Sequence, residues 1–113
     1  IQKRNWNYKM MNPLPRRTEE EILTPQVIDI IVNVCEDYNI PPEDVMCKTS
    51  MHEAVKVKRI ITYILFTFLK INRFDLALIM FVEPMTIWAY KDRIGLDTMH
   101  NPQLEQKYKQ YTL

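Results

Sequence analysis

One glycine stands against seven prolines in this 113-residue chain, and neither Asn-Gly nor Asp-Gly occurs. Sheets turn tightly on such residues, so several hairpins are out of reach. The prolines fall at what read as boundaries (Pro13, Pro15, Pro25, Pro41, Pro42, Pro84 and Pro102), and none lies between Pro42 and Pro84. Proline is tolerated in the first turn of a helix and excluded from its interior. The expectation is an all-α domain, a compact helical bundle over residues 18–113.

Cap chemistry divides that bundle into helices. Thr18 with Glu21 has the spacing of a capping box, and Thr24 followed by Pro25 starts a second helix at once. From there Val27, Ile30, Ile31, Val34 and Tyr38 form one helical stripe. Cys35 shares that apolar face and reads as a small core residue. Pro42 opens a single turn that carries Glu43 and Asp44, and Lys48, Thr49 and Ser50 follow as a polar loop. Ser50 and Glu53 have the spacing of another capping box and would launch the longest helix, about residues 51–70. In it Lys56, Lys58 and Arg59 are expected to stay wet, while IITYILFTFL is apolar nearly all round and belongs at the centre. Asn72 caps a short helix over 73–81. Pro84 opens a helix over 84–94, which Gly95 would end in a left-handed conformation. Asn101 and Pro102 start a last helix with Leu104 and Tyr108 on one side.

Charge is segregated along the chain. Residues 1–17 (IQKRNWNYKMMNPLPRR) hold five bases and no acid, which suggests a basic N-terminal arm. Residues 18–47 hold eight acids and no base, and residues 48–73 carry +5, so the overall +1 conceals an acidic and a basic portion.

Much chemistry is excluded. No Gly-rich phosphate loop exists, His52-Glu53 lacks the second histidine of a zinc-protease helix, and no nucleophile–histidine–acid set can be argued from spacing. Cys35 and Cys47 alone make neither a disulfide framework nor a zinc site. No catalytic residue, metal or cofactor is expected. The longest apolar tract, broken by Thr62, Thr67 and Lys70, falls short of the roughly 20 residues of a membrane span. A cytoplasmic protein that is not an enzyme is the expectation.

The stretch FDLALIMFVEPMTIWAY, residues 74–90, has the rhythm of a helix-turn-helix, placed at about 73–94. Taken with VCEDYNIPPEDVMCK, KVKRIITYIL and the closing LDTMHNPQLEQKYKQYTL, it resembles the C-terminal DNA-binding domain of the bacterial replication initiator DnaA, a relative of the Trp-repressor fold. The resemblance runs from about Val27 to the C-terminus. It implies that Lys58 takes the place of a minor-groove arginine and that Lys48 sits in a basic loop near the DNA backbone. It also implies that Ala77 is the small residue where two helices cross, and that Thr86 opens the recognition helix. The family's Gly-Gly-Arg-Asp-His-Thr-Thr run reads Phe81-Val82-Glu83-Pro84-Met85-Thr86 here, one residue shorter. The turn glycines, the arginine and the histidine are gone, so the initiator's own DNA box is not implied.

Helical geometry places Ile87, Tyr90 and Ile94 inward and Met85, Trp88, Ala89 and Asp92 outward, with Arg93 alongside. Base readout in the major groove relies on bidentate Arg, Asn or Gln, and only Arg93 approaches that description. Two functions follow as expectations. The first is a replication-associated or regulatory domain binding double-stranded DNA mainly through phosphates, with Lys48, Lys56, Lys58, Arg59, Thr86 and Arg93 as contacts. The second keeps the frame and docks a protein partner on Met85 and Trp88, since exposed tryptophan is common at interface hot spots. A phage or mobile-element origin suits both.

Overall fold

A computed structural model describes residues 17–113. The expected arm over residues 1–17 therefore lies outside the described residues, except for Arg17. Among the described residues there is no strand. These residues form seven helices in succession: α1 (Glu19–Ile22), α2 (Pro25–Asp37), α3 (Pro42–Val45), α4 (His52–Thr67), α5 (Arg73–Met80), α6 (Pro84–His100) and α7 (Pro102–Gln110).

The caps form largely as local chemistry requires. Thr18 and Glu21 make the reciprocal capping box, Thr24 accepts from the Val27 amide, and Asn72 accepts from the amides of Phe74 and Asp75. Asn101 accepts from the Gln103 amide at the start of α7. The Ser50 box does not form. Thr49 Oγ1 takes the Met51 amide instead, and α4 begins one residue later than expected, with Met51 at the cap and no side-chain cap bond.

Helix α4 is the central strut. Val57, Ile60, Ile61, Ile64 and Leu65 are at most 2% exposed. Helices α2, α3, α5, α6 and α7 all pack on it. Each such side chain contributes roughly 1.5–3 kcal/mol on full burial. The expected α2 stripe is buried at Val27, Ile30, Ile31 and Val34, with Cys35 beside them and Tyr38 half-buried. Burial pushes the Cys35 thiol up to about 11. Helix α7 docks through Tyr108, whose ring meets Tyr63 edge-on at 6.0 Å between centroids, while Tyr63 donates to Glu105 at 3.0 Å.

The helix ends differ from expectation. The long helix stops at Thr67, and Lys70 takes a left-handed conformation (φ 60°) while the Ile71 amide returns to Leu65 O at 3.2 Å. That return bond is one residue wider than a Schellman bond, and buried Ile71 anchors it. Asn39 and Phe81 are left-handed as well (φ 54° and 59°). Gly95 does not end α6, which continues to His100. The stop comes where Asn101, at φ −141° and ψ 88°, precedes Pro102, because proline drives the preceding residue out of helical geometry.

The segment around residues 73–94 is thus two helices, α5 and α6, joined through Phe81, Val82 and Glu83. On α5, Ala77 is buried, as is Asp75, whose carboxylate receives Arg17 Nε at 2.7 Å and Asn72 Nδ2 at 3.2 Å. Arg17 is thereby tied to the start of α5.

Candidate nucleic-acid interface

An open groove of about 860 Å³ runs between the loop after α3 and the α5–α6 turn. Lys48 and Thr49 form one wall, and Phe81, Val82, Glu83, Pro84 and Thr86 form the other. Tyr90 also lines it, as do Arg17 and Glu19. Turn geometry builds the second wall. Left-handed Phe81 sends the Val82 amide back to Ala77 O at 3.2 Å, and Pro84 at the first position of α6 starts the next helix two residues later.

Of the expected phosphate contacts, Lys48 and Thr86 line this groove. Lys48 is exposed and Thr86 half-buried, facing one groove. Arg59, from α4, holds its guanidinium 5.7 Å from the centroid of the Tyr90 ring. Burial raises the Tyr90 phenol above its ordinary value, and the Arg59 charge opposes that shift. Arg93 is exposed and lies three residues beyond Tyr90 and seven beyond Thr86, on the same stripe of α6. With Arg17 paired to Asp75, the groove lining itself holds the cation Lys48 and the carboxylates Glu19 and Glu83, and Arg59 reaches it only through the Tyr90 ring.

Two residues fall elsewhere. Lys56 is exposed but stands 5.7 Å over the Tyr38 ring, which it shares with Lys107 at 5.5 Å, and does not line the groove. Lys58 is corrected outright as a phosphate contact. It is 1% exposed, and its Nζ donates to Cys47 O at 2.6 Å and to Met80 O at 2.8 Å. Its ammonium is removed from solvent and cannot reach a phosphate without abandoning both carbonyls. Burial lowers its pKa from the ordinary lysine value.

Outward on α6, Met85 is 73% exposed and Trp88 38% exposed. Trp88 packs neither under the last helix nor free in solvent. Its ring meets Phe66 of α4 edge-on at 5.7 Å, with Arg73 at 5.4 Å and Lys91 at 4.7 Å from its centroid. Lys91 also pairs with Asp92 at 3.0 Å. Arg73, Lys91 and Phe66 were missing from the sequence-based set, as was Tyr90 as an organising ring. The Trp88–Lys91 spacing of one helical turn was the available signal; the approach of Phe66 and Arg73 has none, because it is set by how α4, α5 and α6 pack.

Among the described residues, no group of three or more His, Cys, Asp or Glu side chains is arranged to hold a metal ion. No helix among them is long and apolar enough to cross a membrane. Compared with protein-family models, curated proteins and solved structures, the chain finds no match.

Proposed function

We propose that this chain is a helix-turn-helix domain of the DnaA C-terminal type that binds double-stranded DNA, mainly through phosphates, in a replication-associated or regulatory role. One observation carries the reading: Lys48 from a loop and Thr86 from α6 line one groove with Tyr90, and the central helix brings Arg59 against that ring. A face assembled from three separate segments suits a continuous polyanion better than a small ligand, and α5 with its turn aims α6 beside it. Met85, Ala89 and Asp92 point outward from α6 and are exposed, so the face offers little for reading base edges. Affinity without strong sequence preference is the consequence.

The test is a salt titration with a generic duplex. Affinity falls steeply as salt rises, and a Lys48→Ala, Arg59→Ala, Arg93→Ala triple variant lowers the slope of log K against log salt by about 3, near one for each phosphate no longer neutralised. Absence of duplex binding by the parent protein at low salt would sink the reading.

The exposure of Met85 beside the half-open Trp88 ring favours a second reading, a protein docked on that outward face. The same titration separates the two. A Met85→Ala, Trp88→Ala variant with unchanged duplex affinity leaves that face for a protein, whereas a large loss of duplex affinity assigns it to DNA.

A further inference from the structure

Lys58 heads the fully buried side chains by volume, ahead of every isoleucine and leucine of the core. A buried ammonium ordinarily meets a carboxylate. Among the described residues this one has no ion pair, and its partners are two backbone carbonyls, one eleven residues before it and one twenty-two after. The positions of those carbonyls matter. Cys47 immediately precedes Lys48, the cation on one wall of the groove. Met80 is the last residue of α5 and immediately precedes left-handed Phe81, which begins the other wall. Helix α5 also ends with carbonyls that lack intrahelical partners, and a cation near them is favoured by the helix dipole. A single side chain rooted in the central helix therefore touches the residue before each wall.

We infer that Lys58 is a positioning residue, holding the Lys48 loop and the 81–83 turn at a fixed separation so that Lys48 and Thr86 face one ligand across the groove. This rests on the DNA reading for the identity of the ligand, but the clamp itself is a property of the fold. A residue of similar length without donors, such as methionine, fills the volume and leaves both carbonyls unmet, so the two walls part company. The role differs from a phosphate contact in a measurable way. A phosphate contact releases counterions and enters the salt slope; a buried clamp does not.

The experiment compares Lys58→Met with Lys48→Ala and the parent protein. Lys58→Met weakens binding of a generic duplex roughly tenfold, about the loss of one charge-assisted hydrogen bond, with the salt slope unchanged. Lys48→Ala lowers the slope by about 1. Parent-like affinity in Lys58→Met, or a slope lowered as in Lys48→Ala, overturns the inference. Amide hydrogen exchange tests the clamp without DNA. In Lys58→Met the Met46 and Met51 amides, bonded to Pro42 O and Thr49 Oγ1, lose protection together with the Val82 amide, bonded to Ala77 O. Should Lys58→Met fail to fold, the parent protein decides: openings at Met46, Met51 and Val82 share one denaturant dependence if the clamp couples them, and separate ones overturn it. A parent protein that binds no duplex defeats the DNA reading alone, and the exchange result still decides the role of Lys58.

Discussion

Lys58 and Thr62 sit one turn apart on the same buried stripe of α4 and illustrate opposite solutions to burying a polar group. Lys58 reaches two carbonyls, whereas the Thr62 hydroxyl is fully buried with no hydrogen-bond partner among the described residues. An unmet buried hydroxyl carries a desolvation cost with no return, so the nearly isosteric Thr62→Val is expected to stabilise the protein by about 1 kcal/mol. An unchanged or lowered urea midpoint would show that the hydroxyl has a partner after all. Lys58 was legible as an interior residue, though not by its type. Counting four residues back reaches Ala54, one turn forward Ile61 and Thr62, and a second turn Leu65, all of which are buried. Grouping it with Lys56 and Arg59 by charge hid a position that periodicity placed inside. What no pattern could supply was its pair of acceptors, since they belong to a distant loop and a helix end.

Element starts were far more legible than element ends. Thr18, Thr24, Asn72 and Asn101 cap their helices because a side chain within three residues of an amide is enough. Ends depend on what the chain meets next. Asn39, Lys70 and Phe81 adopt left-handed conformations that cost of order 1 kcal/mol or more for a non-glycine residue, and tertiary packing holds them there. The one glycine lies instead inside α6, its φ is not positive, and an added Cβ would meet nothing within 4 Å. Gly95→Ala should therefore stabilise by roughly 0.5–1 kcal/mol, the ordinary gain of alanine over glycine within a helix. Loss of thermal stability in that variant would place the end of α6 back near residue 95. The groove shows the same division: the place of Thr86 on α6 follows from helical spacing, while the approach of Arg59 to Tyr90 is a product of packing α4 on α6.

For the molecule as a whole, buried Tyr108 and half-buried Tyr111 set an alkaline limit. Burial, with Tyr38 and Asp97 beside it, pushes the Tyr108 phenol up to about 12. Burial and the bond to the Asp37 carboxylate raise Tyr111 as well. The unfolded phenol ionises near 10, so the folded state keeps its protons to higher pH than the unfolded one. Stability from these groups is complete below about pH 9 and is lost as pH rises through 10 towards 12, at about 1.4 kcal/mol per unit for each group. Urea midpoints should be level from about pH 7 to 9 and fall beyond 10, and Tyr108→Phe should flatten part of that fall. A midpoint that stays level to pH 12 would contradict the burial of the Tyr108 phenol.

The two cysteines divide between the interior and the rim. Cys35 is fully enclosed with its thiol held protonated, while Cys47 is half-open, its sulfur donating to Asp44 O at 3.4 Å, and adjoins Lys48 at the groove. The folded chain thus presents one accessible sulfur nucleophile and the unfolded chain two. The half-open one adjoins the groove, so its reaction with a thiol reagent reports the integrity of that wall, and under the proposed DNA reading its protection by a duplex would report occupancy.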